Sequence, residues 1–90
     1  MIQHLTEQTR FALRLPQGVA QLDYEMIAPD WMDIQSTWVP EAARGHGTGA
    51  RLVEAALEYA RARGFKVRPS CWYARAWIGD HPAYHDLLRE

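Results

Sequence analysis

Cysteine is nearly absent from this chain: Cys71 stands alone among 90 residues. A lone cysteine excludes a disulfide framework and a cysteine zinc cluster, and it fits a reducing, cytoplasmic setting. An excess of basic residues is missing too. Ten Lys and Arg face eleven Asp and Glu, for a formal net charge of −1. That balance leaves no electrostatic footprint for nucleic acid. No apolar run has the length needed to cross a bilayer, so no membrane span is expected. Met1 to Arg10 is polar and lacks the apolar centre of a signal peptide. No repeat, low-complexity tract or linker divides the chain. What is present is the composition of a single globular domain over residues 1–90, 48% hydrophobic and 23% charged.

The most informative stretch is Arg44-Gly45-His46-Gly47-Thr48-Gly49. Glycine tolerates positive φ and lets a ligand approach the backbone. A helical pattern begins directly behind, and its first acidic residue is Glu54. A helix N-terminus offers free N–H groups and the positive end of its dipole, which together suit a phosphate.

The elements around the loop follow from periodicity. Phe11, Leu13 and Leu15 are apolar at every second position while Arg14 faces the other way, and Pro16-Gln17-Gly18 turns the chain. Ala20, Leu22, Tyr24 and Met26 then alternate with Gln21, Asp23 and Glu25, which predicts an antiparallel hairpin. A third strand is expected from Trp31 to Val39, with Met32, Ile34 and Trp38 on one face and Asp33, Gln35 and Thr37 on the other. Ser36 interrupts that apolar face, and the alternation blurs near Trp38-Val39, where a bulge or a strand buried on both sides is expected. The helix after the loop carries Leu52, Val53, Ala56, Leu57 and Ala60 on one stripe and ends at Gly64. Lys66 to Trp72 reads as a fourth strand, parallel to the third, with Pro69 marking an edge or a gap. Helical patterns follow to the end, interrupted at Asp80-His81-Pro82. Residues 1–9 read as a frayed start. The expected fold is α/β: about four strands, three antiparallel and then a parallel fourth, with a crossover helix and C-terminal helices.

Two glycine-loop readings fail. A P-loop needs Lys-Ser/Thr after its last glycine, and here Ala50-Arg51 follows. The dinucleotide fingerprint wants an acidic residue about 20 positions on, where Lys66 and Arg68 stand instead. A third reading is a resemblance. Arg44-x-x-Gly47-x-Gly49 resembles the signature of the Gcn5-related N-acetyltransferases. Thr37-x-Val39-Pro40, Leu52-Val53, Pro69-x-Cys71 and His81-Pro82-x-Tyr84 are similar to a small single-domain branch of that superfamily. The branch commonly has histidine before the threonine of the third strand, where this chain has Ser36.

The resemblance implies a truncated fold of that family and acetyl-CoA bound where the two parallel strands splay. Trp38, Val39, Arg44, Gly45, His46, Gly47, Thr48, Gly49, Ala50 and Cys71 are then the expected cofactor-binding residues. Backbone amides from Arg44 to Ala50 would hold the pyrophosphate, and the backbone of Trp38 and Val39 the pantetheine arm. The implied activity is acetyl transfer to a primary amine, carried by a small molecule or a protein. The alternatives are a non-catalytic coenzyme A-binding module and a protein-interaction module on the same fold. Cys71 and Tyr73 are the candidate catalytic residues: a thiol able to carry an acetyl group and a phenol able to protonate a thiolate. Asp33, Glu41, His46 and His81 are the candidate bases near the strand end. His81 and His85 lack a third partner, so no metal site is expected. The four tryptophans read as core and cleft lining.

Overall fold

Period-two alternation produces strands where it is cleanest, and the computed structural model, which describes residues 1–90, adds one strand that the pattern did not reveal. In chain order the elements are β1 (Ile2–Leu5), β2 (Arg10–Leu15), β3 (Gly18–Ala28), β4 (Trp31–Trp38), α1 (Thr48–Arg63), β5 (Lys66–Pro69) and α2 (Trp72–Gly79). Short 3-10 turns occupy Thr6–Gln8, Glu41–Ala43 and Pro82–Leu87. The strands form one mixed sheet in the order β1-β2-β3-β4-β5, antiparallel through β4 and parallel between β4 and β5. The crossover from β4 to β5 runs through α1, as the sequence predicts.

The expected frayed start is instead β1, paired to β2 from Ile2↔Leu13 to Leu5↔Arg10. Its signal is weak because His4 occupies a position facing the core. The His4 ring stacks on Phe11 at 4.1 Å, and its Nε2 hydrogen-bonds the Tyr24 hydroxyl at 2.6 Å. Desolvation pushes the His4 pKa below the ordinary histidine value. The unfolded chain therefore binds a proton that the folded chain resists, and the stability from neutral His4 is lost as pH falls. Unfolding free energy, followed by denaturant titration, should be level above about pH 6.5 and decline below it. His4→Gln should flatten that part of the decline. An unchanged slope in the variant would remove His4 from the cause.

The core face of the sheet carries Phe11, Leu13, Ala20, Leu22, Tyr24, Met32, Ile34 and Val67. α1 covers it with the predicted stripe of Leu52, Val53, Ala56, Leu57 and Ala60, all fully buried. Ala74 and Ile78 of α2 complete the same cluster. Each fully buried Leu, Ile or Val contributes about 1.5–3 kcal/mol. Gly64 ends α1 at φ 74°, and the Phe65 N–H returns to the Ala60 carbonyl at 2.8 Å, the expected C-terminal cap. Arg61 does not pair with Glu58. It forks onto Asp86 at 2.9 and 3.0 Å, while Glu58 accepts from the Tyr84 hydroxyl and pushes that phenol up to about 12.

Two corrections bear on the site. The first is a register shift in β4. Tyr24 pairs with Ile34 and Asp23 with Ser36, so Gln35 is an extra residue, a β-bulge. The bulge reverses the faces beyond it. Thr37 now stands opposite Leu22 on the core side, and Trp38 stands opposite Gln21 on the polar side. The sequence reading put these two on the reverse faces. Ser36, which broke the apolar face, marks the place: it sits on the polar face beside Asp23. β4 also ends at Trp38, so Val39 lies outside the strand. The second correction is that β5 stops at Pro69, and Trp72 opens α2 rather than closing a strand. Pro69 pairs in register with Ile34 and is tolerated because β5 is the sheet's last strand. The Cys71 N–H makes a final bond to the Ile34 carbonyl at 2.9 Å. Past that bond β5 gives way to α2, and β4 continues without this neighbour.

Candidate active-site cleft

The space left at that divergence is a cleft of about 540 Å³, within the range of small-molecule sites. The end of β4 supplies Thr37, Trp38 and Val39. The loop contributes Ala43, Arg44, Gly45 and Gly47, and the start of α1 contributes Thr48 and Gly49. Cys71, Trp72 and Tyr73 close the other side.

The glycine loop takes a shape its residues dictate. Gly45 and Gly47 have φ of 88° and 79°, a region that disfavours any residue with a Cβ. Gly47 stands at the N-cap of α1 with no side-chain cap, and the first turn has no acidic residue. The Arg44 N–H bonds to the Glu41 carbonyl and the Arg51 N–H to the Gly47 carbonyl. Between them, the six N–H groups of Gly45 to Ala50 donate to no protein acceptor. Those donors and the helix dipole make the loop electropositive, with only one charged side chain in the cleft lining. That side chain, Arg44, folds back so that its Nε donates to the Val39 carbonyl at 2.8 Å. Arg44 thus ties the loop to the end of β4.

Gly49 has a different constraint. A Cβ there would come within 3.0 Å of the Tyr73 hydroxyl oxygen and 3.1 Å of its ring carbons. The ring lies across the start of α1, and only glycine admits it. On the same side Cys71 is buried, its Sγ 3.7 Å from the Thr37 Oγ1 to which the thiol donates. The bulge brings this pair together, since without it Thr37 would face away.

Most residues singled out from the sequence converge here: Trp38, Val39, Arg44, Gly45, Gly47, Thr48, Gly49, Cys71 and Tyr73 all line the cleft. His46 is exposed and lies outside the lining, and Ala50 contributes no side-chain surface to it. Thr37 and Ala43 are the lining residues the sequence reading lacks; Trp72, expected with the other tryptophans as core or cleft lining, is in the cleft though not among the expected cofactor-binding residues. None of the four candidate bases lines the cleft. Glu41 and His46 are exposed. His81 stacks on Trp77 at 3.6 Å and its Nδ1–H donates to the Trp77 carbonyl, while His85 Nε2–H donates to the Ile78 carbonyl. Both imidazoles satisfy carbonyls at the end of α2. Asp33, expected beside polar neighbours, is only 4% exposed. Its Oδ2 is 3.7 Å from Arg68, and its Oδ1 has no partner. No group of three His, Cys, Asp or Glu is placed to hold a metal ion. No helix is long and apolar enough to cross a membrane.

Residues 10–87 match the family model described as GCN5-related N-acetyl-transferase. The chain belongs to that family. It is 31% identical over 90 residues to Protein NATD1 of Mus musculus, covering 98% of this chain and 82% of that one. The identity to Protein NATD1 of Danio rerio is 30% over 91 residues, covering 97% and 83%. The solution structure of a GCN5-like protein from Staphylococcus aureus superposes with a TM-score of 0.79 at 23% identity, covering 99% of this chain and 87% of that one. At that identity the structural likeness speaks for the fold. The fold is α/β, as expected, with five strands where about four were read.

Proposed function

We propose that this member of the GCN5-related family binds acetyl-CoA in the cleft and transfers its acetyl group to a primary amine of a small molecule or a protein. One observation carries the reading: of six unpartnered backbone N–H groups at the start of α1, four belong to residues (Gly45, Gly47, Thr48 and Gly49) that line the same cleft as the diverging ends of β4 and β5. The residues fit the cofactor. A polyanionic group suits the loop, where Gly45 and Gly47 leave open space around the donors. An extended arm suits the end of β4, which has lost its neighbour beyond Ile34. Acetyl-CoA supplies the activated acetyl thioester. Thr37 and Cys71 line the cleft as a hydrogen-bonded pair, and Tyr73 lines it with its hydroxyl against Gly49. That hydroxyl is the group available to move a proton to the leaving sulfur.

Calorimetry with acetyl-CoA, followed by a free-thiol assay with an amine present, tests the reading. Binding with thiol release supports transfer. Binding without release leaves a coenzyme A-binding module, and no binding leaves the interaction module.

Cys71 is assigned a lining role. Its thiol is buried and donates to Thr37, the behaviour of a small core residue. Cys71→Ala should retain most turnover and lose about 1–2 kcal/mol of stability. Mass spectrometry of the wild-type chain after incubation with acetyl-CoA should find no acetyl adduct on Cys71. Abolished turnover together with an adduct would make Cys71 the acetyl carrier instead.

A further inference from the structure

The lining of the cleft is unusual in charge and in what it exposes. It contains no carboxylate and no imidazole, and its one charged side chain is Arg44. Asp33, Glu41, His46 and His81 all lie outside it. Meanwhile two indoles stand bare at its walls. Trp72 is 79% exposed and Trp38 51%, and apart from Met1 and Val19 they are the only large apolar side chains so exposed. Each is held there by a definite feature of the backbone. The Gln35 bulge turns Trp38 off the core side, and the start of α2 directly after Cys71 sets Trp72 beside the cleft. A small domain gains nothing in stability from tryptophan in water, so paired exposure at one cleft points to an occupant.

Resting on the acetyl-transfer reading, we infer that the acceptor is a weakly basic aromatic amine, seated against Trp38 and Trp72. The argument has two parts. An alkylamine with a pKa near that of lysine, about 10.4, is almost entirely protonated at neutral pH and must lose that proton before it can attack. The cleft lining offers no carboxylate or imidazole to take it. An amine conjugated to an aromatic ring is already neutral, because its lone pair is delocalised into the ring. Such a ring also stacks on an indole, as a neutral flat partner does. The balance then needs no outside base. The amine nitrogen forms a bond to the acetyl carbon, the carbon–sulfur bond breaks, and one proton from nitrogen ends on the departing sulfur. The Tyr73 hydroxyl can pass that proton by giving its own to sulfur and taking the one from nitrogen.

The test compares aniline, cyclohexylamine and benzylamine at pH 7 with saturating acetyl-CoA, following free thiol. Aniline should react at least about tenfold faster than cyclohexylamine, whose amine is protonated. Benzylamine, aromatic but basic, should also lag behind aniline. Trp72→Ala should raise the aniline KM about tenfold, the size of a lost stacking partner, and leave acetyl-CoA affinity by calorimetry within twofold. A second readout needs no turnover: aniline should quench indole fluorescence in the wild type, and Trp72→Ala should lose most of that quenching. Cyclohexylamine reacting as fast as aniline would overturn the inference. So would an unchanged aniline KM in Trp72→Ala, or a loss of acetyl-CoA affinity there, which would give the indole to the cofactor. Absence of acetyl-CoA binding to the wild type would instead remove the transfer reading, and the quenching experiment would still report whether the indoles hold an aromatic amine.

Discussion

Gly47→Val should weaken acetyl-CoA binding about a hundredfold while the protein stays folded. At φ 79° a Cβ on residue 47 meets no protein atom within 4 Å, so it would project into open space at the mouth of the loop. That space is where an anion would approach the free N–H groups of Gly45 to Ala50. Hydrogen bonds to a charged group contribute about 1.5–3 kcal/mol each, so blocking one or two is enough for a hundredfold loss. The valine also carries a backbone cost, about 1–2 kcal/mol for a side chain in the left-handed region. Gly64→Val separates the two effects. Gly64 has φ 74° and equally open surroundings, but it lies at the other end of α1. It should lose similar stability by thermal melting and keep wild-type affinity by calorimetry. Equal affinity in Gly47→Val and Gly64→Val would show that the pyrophosphate does not sit on the loop.

The parts of this fold that were legible in the sequence are those governed by local chemistry. The α1 stripe from Leu52 to Ala60, the Gly64 cap and the β2–β3 hairpin follow from period and from glycine, and the structure has them where they were read. The glycine loop was equally plain, because positive φ at Gly45 and Gly47 leaves few other residue choices. What was missed depended on tertiary partners. β1 hides because its core-facing His4 is polar, and it is acceptable there only through Phe11 and the Tyr24 hydroxyl. The Gln35 bulge is half visible: Ser36 breaks the alternation, but the pattern itself blurs near Trp38 rather than at Gln35. Once the bulge is placed, Thr37 and Trp38 exchange faces, which is why Thr37 was absent from the expected site. Trp72 was read as strand because nothing local distinguishes Cys71-Trp72 as the end of β5 from the start of α2. The last tie to β4 is the hydrogen bond from the Cys71 N–H to the Ile34 carbonyl, a contact between residues 37 apart in the chain, and the strand gives way to α2 just past it.

Tyr73→Phe should lower the turnover number about a hundredfold without changing acetyl-CoA affinity by more than twofold. The reasoning starts from elimination among the residues of the cleft. Its lining includes one guanidinium, two threonine hydroxyls, a thiol and a phenol, and no other group with a mobile proton on a side chain. Arg44 is engaged with the Val39 carbonyl, and Cys71 donates to Thr37. Tyr73 alone combines an acidic proton with a position at the start of α1, where its hydroxyl oxygen would lie 3.0 Å from a Cβ on Gly49. Phenols as a class are weaker acids than thiols by about 1.5 units. Giving a proton to a thiolate is therefore slightly uphill, and the phenolate left behind is a base strong enough to take the proton from the amine nitrogen. General acid–base help of this kind is worth about 10²–10⁴ in rate. Phenylalanine keeps the ring that packs on Gly49 and removes only the oxygen, so a purely structural role would leave turnover intact. Gly49→Ala provides the complementary disturbance: it would keep the hydroxyl on the ring but push both away from the start of α1, and turnover should fall with thermal stability. A Tyr73→Phe enzyme with turnover within threefold of wild type would transfer the proton role to solvent and leave Tyr73 as a brace for the start of the helix.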